Sequence, residues 1–183
     1  MHGSFPKASY TWNGLVGDVT RFLQHLARVS WTRGESRASS AFLERIMLAV
    51  TAVNGCRYCS WVHVRAALKT GTSKKDALAM LGQRFDHVDG KELVALLFAQ
   101  HHAETRGNVE RENLKALVRA RGVVQASRIL LAIAAITIGN LAGNTIDAFE
   151  SRLRGRPPAR GSRMLEAIMF VAGKPLVLLA GMR

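Results

Sequence analysis

Asn54-Gly55-Cys56-Arg57-Tyr58-Cys59-Ser60-Trp61-Val62-His63 is the stretch on which the reading of this chain turns. Asn54-Gly55 stops one helix, and the residues after it open another. On that new helix Cys56, Cys59 and His63 lie along one face, because residues three and four apart are neighbours. Two thiols and an imidazole then share one small volume. These are the only two cysteines in the chain.

Working outward, the pattern is helical nearly throughout. Leu15 to Val29 reads as a first amphipathic helix. Ser36 to Val53 is a second, with Leu43, Ile46, Met47, Val50 and Val53 at helical spacing. The third runs from near Cys56 to Lys69 and stops at Gly71. Ser73 caps a short fourth helix ending at Leu81. Asp89 to Thr105 is a fifth and Glu110 to Arg119 a sixth. Gly122 to Leu153 reads as a long apolar helix, bent or interrupted near Gly139–Gly143, and Ser162 to Val171 as the last. No run has the period of a strand, and no segment repeats another. The fold class is all-α, a packed helical bundle.

The chain has 183 residues, enough for one domain with a real core. Lys and Arg total 26 against 13 Asp and Glu, a net charge of +13, and arginine supplies 19 of the cations. Such a balance favours anionic partners, but the basic residues are mostly dispersed. The exception is Arg152 to Arg163, with Arg154, Arg156 and Arg160 around Pro157-Pro158, which reads as an exposed, mobile loop. No zinc-finger, RNP-like or helix-turn-helix pattern accompanies it, so specific nucleic-acid recognition is not expected. The apolar run Ile129–Ile138 and the C-terminal Phe170–Ala180, broken by Pro175, are shorter than the roughly 20 residues that span a bilayer. With no transmembrane segment or cleavable leader visible, the chain reads as cytoplasmic, where thiols stay reduced.

A pair of cysteines at i, i+3 in the first turn of a helix can approach disulfide geometry. The positive end of the helix dipole stabilises a thiolate there. This favours Cys56, nearest the helix start, as the thiol of lower pKa, and His63 can accept a thiol proton. A structural disulfide is a weak alternative, because its benefit grows with loop length and this loop is minimal. Zinc is the stronger rival: Cys56, Cys59 and His63 are three ligands, and His101 or His102 from the fifth helix would have to add a fourth. Glu44 lies on the second helix at the edge of its apolar stripe. If the second and third helices form a tight hairpin, it faces the third near the thiols and can relay protons.

Glu44, eleven residues, Cys56-Arg57-Tyr58-Cys59, three residues, His63 resembles the E-x11-C-x-x-C-x3-H signature of the AhpD-like alkylhydroperoxidases of the carboxymuconolactone decarboxylase superfamily. The match covers about Ser36 to Gln83, with a weaker echo from Ile129 to Arg154 that includes Asn140-Leu-Ala-Gly-Asn144. The resemblance implies an AhpD-like helical domain over residues 1–155, with the CxxC at the N-terminus of a core helix. Residues 156–183 would then be an extension packing on the bundle or a neighbouring subunit. It implies a homo-oligomer, a trimer or hexamer, and a thiol peroxidase using no haem, flavin or metal. By position, Cys59 attacks the hydroperoxide, Cys56 resolves the sulfenic acid, and His63 and Glu44 serve as the proton relay. Tyr58 stands where AhpD has a histidine, and its hydroxyl can still hydrogen-bond. The reductant would be an external dithiol or disulfide reductase, such as a lipoyl-bearing adaptor. A lactone-decarboxylating enzyme, a general disulfide oxidoreductase and a non-catalytic basic module docking through Arg152–Arg163 are the alternatives.

Overall fold

The hydrophobic spacing produces seven helices and no strand among the residues described by the computed structural model, which are 5–31, 39–86, 88, 90–159 and 161–179. They are α1 (Trp12–Trp31), α2 (Ser40–Asn54), α3 (Arg57–Lys69), α4 (Lys74–Leu81), α5 (Gly90–Glu104), α6 (Arg111–Leu153) and α7 (Arg163–Leu179). The all-α bundle is borne out. Ser36 and Asp89, expected to open the second and fifth helices, lie outside the described residues, as do Arg160 and the side chain of Trp31.

α2 is the central element and packs against α3, α4, α5 and α6. Its stripe buries Phe42, Ile46, Leu48, Ala49 and Val50 against Leu96 and Phe98 of α5 and Ile129, Ile133 and Ile136 of α6. Each of these side chains larger than alanine contributes about 1.5–3 kcal/mol through burial. The Ser39 hydroxyl accepts the Phe42 N–H at 3.2 Å and fixes where α2 starts. Gly55 ends it in the left-handed region (φ 67°), its N–H donating to the Thr51 carbonyl at 2.8 Å. That closure lets α3 start two residues later.

Three expectations are corrected. The bend expected near Gly139–Gly143 is absent: α6 runs on unbroken there, and its one non-helical residue, Gly122 (φ 76°, ψ 161°), lies at the boundary expected between the sixth helix and the long one. Propensity treats those glycines and asparagines as breakers, but tertiary packing uses them as small and polar contact points. The last helix extends beyond Val171 to Leu179 with Pro175 inside it. Burial of Val177 beside Ile146, Cys56 and Tyr58 offsets the backbone hydrogen bond lost at the proline. The stretch 152–158 of the expected mobile loop is pinned rather than free. Arg152 Nε and Nη2 bind the fully buried Glu166 carboxylate at 2.8 and 3.0 Å. The Ser151 hydroxyl donates to the Arg156 carbonyl at 2.6 Å, and Phe5 bridges to Pro158.

α6 is long and apolar enough to cross a membrane by length and composition, although half of its apolar window is buried inside the bundle. Its buried stripe is the wall on which α1, α2, α5 and α7 pack.

The Arg152–Glu166 pair ties α7 to α6. Arg152→Met leaves a buried carboxylate with no cation, at a cost of about 3–5 kcal/mol. Chemical denaturation should register that loss, and an unchanged midpoint would show the pair to be idle.

Candidate active site

The α2–α3 turn sets both sulfurs. Cys56 is the N-cap of α3, and its Sγ accepts the Cys59 N–H at 3.3 Å. The two sulfurs are 3.0 Å apart and unbonded. Closing to the roughly 2.05 Å of a disulfide takes only a small movement. Cys56 is fully buried, whereas Cys59 is partly exposed.

On the same face of α3, one turn on, His63 Nδ1 meets Glu44 Oε2 at 2.8 Å. The structure thus brings Glu44 from α2 against His63 of α3, both side chains retaining partial exposure. A carboxylate oxygen accepts in this contact, so Nδ1 is the donor, and in the neutral imidazole that tautomer leaves Nε2 to accept.

The proton of the sulfur–sulfur contact belongs on Cys59, because Cys56 Sγ already accepts a backbone N–H at a helix start. The hydrogen bond from Cys59 holds the Cys56 thiol below its ordinary value; burial opposes, and the backbone N–H groups of Cys59 and Tyr58 assist. Cys59 is pushed up, first by its contact with Cys56 and then by burial. The order of ionisation follows: Cys56 first and Cys59 far later. Ultraviolet thiolate absorbance should therefore rise below the ordinary thiol range. In Cys59→Ala, which removes the donor, that midpoint should move to higher pH. A midpoint indifferent to Cys59→Ala would contradict this assignment.

α6 forms the rear wall. A Cβ at Gly143 would stand 2.6 Å from Cys56 Sγ and 3.2 Å from Tyr58 Cδ2, and one at Gly139 would stand 3.8 Å from Cys59 Sγ. Asn144 Nδ2 donates to the Asn54 carbonyl at 2.8 Å, and Thr51 Oγ1 donates to Asn140 Oδ1 at 3.1 Å. Thr51, Asn140 and Asn144 are all fully buried. The turn carrying Cys56 is thus clamped to α6 by buried polar contacts. The sequence reading misses this clamp, because there Asn140, Gly143 and Asn144 read as interruptions. The available signal was a set of small and amide residues at helical spacing inside an otherwise apolar helix.

The Tyr58 ring packs beside Cys56, while its hydroxyl lies 2.6 Å from Arg57 Nη2. Arg57 in turn binds Asp147 at 2.8 Å and Glu150 at 3.0 Å. Lys7 reaches Asp147 at 2.9 Å, and Lys174 joins Glu150. Tyr58 is therefore linked to the α6 carboxylates rather than to Glu44 and His63. Burial, then Asp147, keeps its phenol well above the ordinary value and so protonated.

His102 does not join the sulfurs. It lies against Phe98, with ring centroids 6.2 Å apart, and lines a separate cavity with Arg21 and His25. No group of three or more His, Cys, Asp or Glu is placed to hold a metal among the described residues.

Residues 18–101 match the family model described as the carboxymuconolactone decarboxylase family, which bears out the resemblance carried by the Glu44–His63 signature. The matched segment runs from within α1 into α5 and contains Glu44, Cys56, Cys59 and His63. No curated protein matches the chain, and no solved structure matches it.

Proposed function

We propose, from membership of the 18–101 segment in the carboxymuconolactone decarboxylase family, that this chain is a thiol-dependent peroxidase of the AhpD-like branch. The observation that carries the reading is the pair of free sulfurs 3.0 Å apart at a helix start, one turn from a Glu44–His63 couple.

We take Cys59 as the attacking sulfur, a reading supported by its partial exposure beside a fully buried Cys56. The charge of the ionised pair, which rests on Cys56, moves to Cys59 when Cys59 passes its proton across the 3.0 Å contact, and His63, its Nδ1–H held by Glu44, stands one turn on to move protons to and from the reacting atoms. The Cys59 thiolate attacks the terminal peroxide oxygen. The O–O bond breaks, Cys59 becomes a sulfenic acid, and the leaving alkoxide takes a proton to become an alcohol. Cys56, the sulfur that ionises first, attacks the sulfenic sulfur. Hydroxide leaves as water on protonation, and the Cys56–Cys59 disulfide forms. An external dithiol then reduces it through a mixed disulfide, returning both thiols and leaving as its own disulfide. A lipoyl-bearing adaptor is the reductant class we favour.

The apolar side chains left exposed on α1 (Val16, Leu23) and α7 (Ile168, Val171, Leu176) support assembly of several copies. The lactone-decarboxylase reading has the family's description in its favour, but that reaction has no use for two adjacent thiols. Activity untouched by thiol alkylation would favour it.

Purified protein should consume cumene hydroperoxide with dihydrolipoamide as reductant. His63→Gln and Glu44→Gln should each slow that turnover by about 10²–10⁴-fold, the usual range for general acid–base catalysis. Absence of dithiol-dependent peroxide consumption by the unaltered chain would end the proposal.

A further inference from the structure

A cavity of about 500 Å³ opens beside α1, and neither cysteine, His63 nor Glu44 lines it. That volume is ordinary for a small-molecule site. Its floor is α6 between Ala134 and Leu141, roughly 10 Å of helix rise. The N-terminal strap closes one end. Phe5 N–H donates to the Pro157 carbonyl at 3.4 Å, and Tyr10 N–H to Thr145 Oγ1 at 2.9 Å, which places Phe5, Pro6 and Pro158 together there. At the other end Arg21 and His25 of α1 meet His102 of α5 and Arg106 just beyond it. Arg21 Nη1 reaches the Arg106 carbonyl at 3.5 Å.

The two ends differ in charge. Among the lining residues the carboxylate is Asp18, and Tyr10 Oη (3.0 Å) and Arg21 Nη2 (2.7 Å) both donate to it. Lys7 is engaged by Asp147. Arg21 and Arg106 against Asp18 leave one positive charge at the α5 end. His102 is held neutral there, pushed down to about 4 by burial and then by Arg21 and His25. His25 is lowered likewise, by burial, Arg28 and Arg21. Its Nδ1 is buried without a hydrogen-bond partner. A cavity with apolar side chains at the strap end (Phe5, Pro6, Pro158) and along its α6 floor (Ala134, Leu141), and a single excess positive charge at the α5 end, complements a monoanion with an apolar body.

We propose that this cavity binds a medium-chain monocarboxylic acid, its carboxylate between Arg21 and Arg106 and its chain lying along α6 toward Phe5 and Pro158. The site is separate from the dithiol and stands or falls independently of the peroxidase reading. Isothermal titration of the full chain with decanoate and with decanol tests it. Decanoate should bind saturably and decanol at least about tenfold more weakly, as expected for losing one charge-assisted hydrogen-bonded head group. Ala134→Phe, which fills the floor, should remove binding of both. Arg106→Gln, on the surface between α5 and α6, should bring decanoate down to the affinity of decanol without affecting decanol. No saturable binding of decanoate, equal affinity for the alcohol, or decanoate affinity unchanged in Arg106→Gln would overturn the assignment.

Discussion

Cys59→Ser and Cys56→Ser each reduce dithiol-dependent peroxide turnover by at least about a thousandfold, the scale seen when one member of a concerted catalytic unit is removed. The two variants fail at different steps. With Cys59 attacking, Cys56→Ser still forms a sulfenic acid on Cys59 that a dimedone probe traps, because no second thiol remains to condense with it. Cys59→Ser forms none, since the remaining sulfur is fully buried behind α6. Dimedone labelling followed by peptide mass spectrometry separates the cases. The reverse pattern, with label on Cys56 only, would exchange the two roles while keeping the dithiol cycle. Retained turnover in both variants would remove the cycle.

The second large effect is expected at a residue that carries no side chain. Gly143→Ala places a methyl 2.6 Å from Cys56 Sγ, far inside van der Waals contact. The α6 backbone is locked by Asn144 to the Asn54 carbonyl and by Asn140 to Thr51, so the sulfur has to move. Overpacking of this kind costs about 1–3 kcal/mol of stability. Displacing a reacting atom by about 1 Å costs on the order of a hundredfold in rate. Gly139→Ala is the control, because its Cβ would meet Cys59 Sγ at an ordinary 3.8 Å. In a helix interior that change is expected to be neutral or stabilising by up to about 1 kcal/mol. Thermal melts and peroxide assays on the two variants should diverge sharply. If they behave alike, close approach of α6 is not what holds the dithiol in place.

The parts legible in the sequence are those set by neighbours along the chain. Asn54-Gly55 announced the turn, Ser73 the cap of α4, and the i, i+3, i+7 spacing of Cys56, Cys59 and His63 their common face. Glu44 is the one long-distance member the reading names, on a conditional hairpin and on the family signature, and the hairpin of α2 and α3 about a short turn is what brings it to His63. What stayed hidden depends on elements that meet only after folding. Arg152 looked like one more exposed cation, since its partner Glu166 lies on another helix. Asp147 and Glu150 were unremarked, although they hold Arg57, Lys7 and Lys174 around the back of Tyr58. Gly139, Asn140, Gly143 and Asn144 were read for local propensity, which marks them as breakers. Contact with the sulfurs and with the α2 carbonyl end decides their conformation instead. At Pro175 likewise the packing of Val177 outweighs the local preference to stop.

The account rests on two sulfurs that join and separate, and one oxidation followed by one reduction tests it most directly. Reduced protein treated with a single equivalent of cumene hydroperoxide should lose two hydrogens in intact-mass analysis. Peptide mapping should assign that loss to a Cys56–Cys59 disulfide, and dihydrolipoamide should restore both thiols. Two cysteines that remain fully alkylatable after the peroxide has been added would contradict it.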